Sequence, residues 1–280
     1  MAGEVPEGIA AALAGGDLVP YLGPGMLALA GGARALPGSP QELAALLTAR
    51  VSVPHKIRAN LSAAAQFVEN FKHRKTLVAH LRSLFPAPAQ PSPLHELLAG
   101  LPLPLVVCAW YDGSFAAALA GRRDWGRIQN LSPAEHFGTW NACYGCDGEG
   151  CEAQRAADWR TLVYEPIGAA APAANFIVSD SDFVEVLTEI DIQTPIPERV
   201  QQLRRGRGFL FLGCRFDDQL QRSFARQIMK RSGGRHWAVM PGEPTRNEAR
   251  FLEEQRIERV GISLEEFSRE LANRMAEAAA

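Results

Sequence analysis

A chain of 280 residues, 47% hydrophobic and 21% charged, can bury a sizeable core and reads as one domain over residues 1–280. Its formal net charge of −2 favours neither nucleic acid nor an acidic membrane surface as a partner. No apolar run approaches the roughly 20 residues of a spanning helix. The opening MAGEVPEGIAAALAGGD carries Glu4 and Glu7 but no basic segment of a signal peptide, so a cytoplasmic protein is expected.

In chain order, LVPYLG (18–23) reads as the first strand and ends in Gly23, Pro24, Gly25 and Met26. A short glycine-bearing turn after the first strand of an α/β protein often lets a phosphate reach backbone N–H groups. The plain alternative is a tight turn with no ligand. Residues 41–85 hold three Ala/Leu-rich segments with apolar residues at helical spacing, the bulk of a helical insertion over about 41–100. PAPAQPSP (Pro86–Pro93) is a stiff connector. PLVVCAW (Pro104–Trp110) is a near-continuous apolar run, as expected of a strand covered on both faces. GSFAAALAG follows as a helix. TLVYEP is a strand candidate, and DSDFVEVLTEI is a helix with Asp180 or Ser181 as its cap.

GFLFLG (Gly208–Gly213) is the clearest buried strand. After it come an amphipathic helix, the strand HWAVMP, a helix, the strand IERVGI and a last helix opened by a Ser263–Glu266 capping box. Strands separated by helices of 10–15 residues imply a Rossmann-like parallel sheet with helices on both faces. RRGRG (Arg204–Gly208) ends a helix, where cations complement the dipole. Asp217 and Asp218 either contact a ribose or cap the following helix.

The stretch from about 122 to 160 breaks the rhythm and reads as a cysteine-bearing loop or small module. Cys143, Cys146 and Cys151 lie within nine residues there, interleaved with Gly145, Gly148 and Gly150. Thiolates at such spacing point to zinc or an iron–sulfur cluster, with His136, Cys108 or Cys214 as the fourth ligand. A redox-active or merely reduced thiol loop is the alternative.

Three stretches together resemble the sirtuin-like NAD-binding superfamily, in its divergent bacterial branch: LVPYLGPGML (18–27), AWYDGSFAAAL (109–119) and GFLFLGCRFDDQLQRSF (208–224). SDSDFVEVL is similar to the acidic-aromatic helix start that precedes the late strand of that family. The resemblance implies that Gly23, Pro24, Gly25 and Met26 cradle the pyrophosphate of NAD or ADP-ribose, and that Gly213 admits the nucleotide. It also sets Trp110 in the place of a catalytic Asn and Ile167 in the place of the base His, while Asp112 is retained.

A rival alignment uses Asn130, His136 as base and Cys143-x2-Cys146 as the start of a zinc module. Three functions follow: a nucleotide-binding sensor or accessory protein with catalysis lost, an active NAD glycohydrolase or ADP-ribosyl-transfer enzyme using Asp112 and His136, or a metal-binding accessory protein. A nucleotide is the expected small-molecule partner in the first two, and a protein partner stays open.

Overall fold

The computed structural model describes residues 5–30, 36–136, 138–192 and 196–279. Its strands are β1 (Leu18–Leu22), β2 (Leu105–Cys108), β3 (Trp125–Asn130), β4 (Asn141–Gly145), β5 (Gly150–Cys151), β6 (Thr161–Glu165), β7 (Gly168–Ala169), β8 (Asn175–Phe176), β9 (Gly208–Leu212), β10 (His236–Val239) and β11 (Ile257–Val260). Its helices are α1 (Glu7–Ala14), α2 (Pro40–Arg50), α3 (Leu61–Lys72), α4 (Arg74–Leu84), α5 (Pro93–Gly100), α6 (Ser114–Ala118), α7 (Asp180–Ile192), α8 (Glu198–Arg204), α9 (Gln219–Met229), α10 (Arg246–Glu254) and α11 (Leu264–Ala279). None of the described helices is long and apolar enough to cross a membrane.

Nine strands form one sheet in the order β11-β10-β9-β1-β2-β6-β3-β4-β5. Seven run parallel, from β11 to β3, and β4 and β5 close one edge antiparallel. Both faces are covered, which is why β1, β2 and β9 are apolar throughout. Alternation along β1 sends Leu18 and Leu22 into one core and Val19 and Tyr21 into the other. Helices α1, α5, α6 and α11 pack on the Leu18 face, and α7 to α10 pack on the Tyr21 face. Helices α2, α3 and α4 build a third core with Trp110, Tyr111, Phe176 and Val178.

Arg74, at the start of α4, ties that helical unit to the sheet. Its guanidinium reaches Glu69 at 3.2 Å, Glu135 at 3.1 Å and Asp182 at 2.8 Å, and it donates to the Phe176 carbonyl. Asp182 also accepts from Val178 N and Ser179 N, so one buried carboxylate fixes the start of α7.

Two expectations need correcting here. Residues 122–160 are not a separate module: β3 is an inner strand of the sheet, and β4 and β5 extend it. Pro86–Pro93 is shorter as a connector than it reads, because Pro93 is the first residue of α5. Ser92 caps that helix: its Oγ accepts from His95 N, and its own N–H donates in return to His95 Nδ1.

Candidate functional site at the β1–β9 seam

Chain order runs outward from β1 through β2, then returns to β9 on its other side, so the β1–β9 seam is the topological switch point of the sheet. Ligand crevices of open α/β sheets lie there, beyond the carboxyl ends of the strands. A cavity of about 180 Å³ sits at that place. Its floor comes from Tyr21 of β1, from Gly23 and Pro24 just after it, and from Cys214, Arg215 and Phe216 after β9. Asn60, Leu61 and Ser62 at the start of α3 form one wall, and Phe183, Leu220 and Phe224 another. The volume is below the roughly 300–1,000 Å³ of whole-ligand pockets, so it encloses one ring system and leaves the remainder of a larger ligand at the mouth.

The glycine turn answers its own question differently from expectation. A Cβ on Gly23 would lie 2.6 Å from Gly213 O, and one on Gly25 would lie 2.9 Å from the same oxygen. What comes close to these glycines is the turn after β9. The N–H groups are spent as well: Gly23 N donates to Leu212 O at 2.8 Å, Gly25 N to Gly213 O at 2.9 Å and Met26 N to Gly23 O at 3.1 Å. Pro24 has no N–H to give. Gly23, Pro24, Gly25, Met26 and Gly213 thus lock β1 to β9, and the turn as folded offers a pyrophosphate no free backbone donor from residues 23–26. Gly25→Val would test this packing rather than a ligand contact.

Trp110 and Ile167, placed by the resemblance where a catalytic Asn and His would stand, both line the cavity. Trp110 is buried, donates from Nε1 to Pro37 O at 2.8 Å, and meets Phe85 edge-on and Tyr111 at a tilt. Asp218 also lines the cavity, but its Oδ1 caps α9 by accepting from Leu220 N at 2.7 Å and Gln221 N at 3.1 Å. Among the described residues that line the cavity, Arg215 is the one cation. Its Nε and Nη2 grip Glu248 at 2.9 and 3.0 Å, and its side chain stays half exposed at the cavity mouth. Arg215, Asn60 and Ser62 escaped the sequence reading. Only Arg215 left a signal, a cation two residues past a strand-ending glycine.

Asp112 does not line the cavity. It is buried, and its Oδ1 accepts from Ser114 N at 2.7 Å and Ser114 Oγ at 2.6 Å. Burial raises its carboxyl above the ordinary range against those two bonds. Ser114 Oγ lies 3.1 Å from His95 Nε2, whose other ring nitrogen accepts from Ser92 N. Burial pushes His95 down to about 4, so the imidazole is neutral and structural. His136 lies in an exposed turn and also stays off the cavity wall. Asn130 is buried, bonded from Nδ2 to Tyr164 Oη and Pro166 O.

Another polar cluster lies at the carboxyl ends of β3 and β6. Glu165 Oε1 faces Arg127 Nη1 at 3.5 Å, and both Arg127 and Gln129 donate to Ala171 O. Burial pushes Glu165 up to about 7, opposed by Arg127 and a bond from Gln129 and assisted by Asp112.

The three clustered cysteines do not converge. Cys143 and Cys151 are directly opposed on β4 and β5 and pack on the Tyr21 face of the sheet. Cys146 packs on the other face. Of the proposed fourth ligands, Cys214 is buried beside β1, Cys108 packs on the Leu18 face, and His136 is exposed. Among the described residues, no group of three His, Cys, Asp or Glu side chains could hold a metal ion. The zinc or iron–sulfur centre expected from Cys143, Cys146 and Cys151 therefore does not fit the fold.

A family model for the SIR2-like domain matches residues 104–260, more than half of the chain. The chain belongs to the SIR2-like family. None of the curated proteins matches it. SIR2-like domains generally use NAD, and the match runs from β2 through β11. The cavity at the seam has an apolar and aromatic wall, with Arg215 and the closed glycine turn among its lining.

Proposed function

We propose that this SIR2-like chain binds NAD, ADP-ribose or a related nucleotide at the seam cavity without cleaving it, as a sensor or accessory protein. The observation that carries this reading is the pair Trp110 and Ile167 on the cavity wall. Neither side chain can take a proton from an attacking water or offer the amide that would hold a ribose. The apolar wall suits one flat ring. NAD cleavage would need Asp112 and His136 within reach of one ligand. Asp112 is committed to Ser114, and His136 stands in an exposed turn.

Calorimetry with ADP-ribose and with NAD tests the binding. Ala59 is exposed at the mouth, so Ala59→Trp leaves the fold intact while obstructing entry. Affinity is expected to fall at least tenfold in that variant, and nicotinamide release from NAD by the wild type is expected to stay at background. Rapid nicotinamide release, or equal affinity in both proteins, overturns the reading.

A further inference from the structure

The cysteine hairpin is left over once metal binding is set aside, and its register is unusually well defined. Gly148 N donates to Gly145 O at 3.0 Å, Gly145 N donates to Glu149 O at 2.9 Å, and Asp147 Oδ1 accepts from Glu149 N at 3.0 Å. Gly148 takes the left-handed conformation at φ +82°, which completes a three-residue hairpin loop. That loop sets Cys143 directly opposite Cys151 and swings Cys146 to the other face of the sheet.

We propose that Cys143 and Cys151 are the two halves of a reversible cross-strand disulfide, a modification site on the edge of the sheet. Opposed side chains in an antiparallel pair have Cβ atoms about 4.5–5.5 Å apart. A disulfide needs about 3.5–4.5 Å, so an ångström of closure suffices. β5 can supply it, because it is a two-residue edge strand held by β4 alone. A bond closed under that strain is readily reduced again.

Cys151 is the more exposed of the two, and Cys143 is buried. With a peroxide as oxidant, the Cys151 thiolate attacks one peroxide oxygen, the O–O bond breaks and water leaves, giving a sulfenic acid. Cys143 sulfur then displaces the sulfenic oxygen, which leaves as a second water, and the S–S bond forms. Two thiols are oxidised by two electrons and one hydrogen peroxide is reduced to two waters. Burial holds Cys143 at about 11 and raises Cys151 as well, so both are thiols at neutral pH. The reaction is slow there and speeds up about tenfold per pH unit between 7 and 9. Cys143 also walls a second cavity, about 530 Å³, beside Trp140, Ile196 and Gln201 between β4 and α8.

The test treats the full chain with hydrogen peroxide, blocks remaining thiols by alkylation and cleaves after Glu149, so that Cys143 and Cys151 fall on separate peptides. Wild type and Cys146→Ser are expected to give one linked pair of peptides, lose two hydrogens in intact mass, and recover both thiols with a dithiol reductant. Cys151→Ser and Cys143→Ser are expected to give no link. A link that persists in Cys143→Ser, a link that disappears in Cys146→Ser, or over-oxidation of Cys151 without any link overturns the proposal.

Discussion

Gly213→Ala is expected to unfold the protein at a temperature about 10–15 °C below wild type. Two costs combine. Gly213 sits at φ +66°, where a side chain costs about 1–2 kcal/mol. Its Cβ would lie 2.4 Å from Met26 N and 2.8 Å from Gly25 C, both backbone atoms that cannot rotate away. Relief requires parting the two turns, which strains the bonds from Gly23 N to Leu212 O and from Gly25 N to Gly213 O, about 1 kcal/mol each. The total of about 3–4 kcal/mol lies above the usual 0.5–3 kcal/mol of one substitution, and at about 2–4 °C per kcal/mol it spans about 6–16 °C, which brackets the stated shift. Gly242→Ala is the control. Gly242 has φ +70° with nothing within 4 Å of its Cβ, so only the conformational cost applies. Thermal unfolding of both variants separates the two contributions. Equal losses in the two would show that the seam is not locked by close packing.

Glu165→Gln is expected to change the pH dependence of stability more than stability itself. Glu165 has a folded value of about 7 against an ordinary 4.5. Its contribution is therefore full below pH 4.5 and is lost as pH rises to 7, a swing of about 3 kcal/mol. His95 runs the other way. Its folded value is about 4 against an ordinary 6.5, so its contribution grows from pH 4 to 6.5. Asp112 sides with Glu165, and His236, lowered by burial, sides with His95. The opposed slopes leave the wild type nearly flat from pH 5 to 6.5. Removing the Glu165 carboxylate uncovers the histidine slope, so the variant gains on the wild type as pH rises from 5 to 7, by roughly 6–12 °C in Tm. Thermal melts of both proteins at half-unit steps read this difference. A difference that does not vary with pH would show that Glu165 is charged throughout.

The same cluster explains where sequence reading succeeded and failed. LVPYL, LVVC and GFLFL are legible because strands covered on both faces must be apolar. WGRIQN carries Arg127, Gln129 and Asn130, and it reads as loop. It is an inner strand because each of those side chains finds a partner: Glu165 and Ala171 O for Arg127, Ala171 O for Gln129, Tyr164 and Pro166 O for Asn130. Those partners lie 34 to 44 residues away in sequence, beyond any local pattern. Trp110 and Ile167 were legible as replacements because motif order preserved their places. The role of the glycine turn was not legible, since its neighbour is Gly213 at the far end of the chain. Cysteine spacing misled for a related reason: a hairpin turns a linear run into two faces.

The seam also fixes the order in which the molecule can be completed. Arg207 Nε donates to Gly16 O across 191 residues of sequence, and every residue of β1 has its partner on β9. On the ribosome β1 emerges early and can pair with β2, but its other edge stays open until the last third of the chain has been made. Such long-range closure is slow, and an unpaired apolar strand edge is prone to join another chain. The cavity lies on that seam, so it is complete only after β9 and α9 have been made. A nascent chain halted before Gly208 lacks the lining that follows β9, from Cys214 to Ala225, and exposes β1 to any partner able to add a strand.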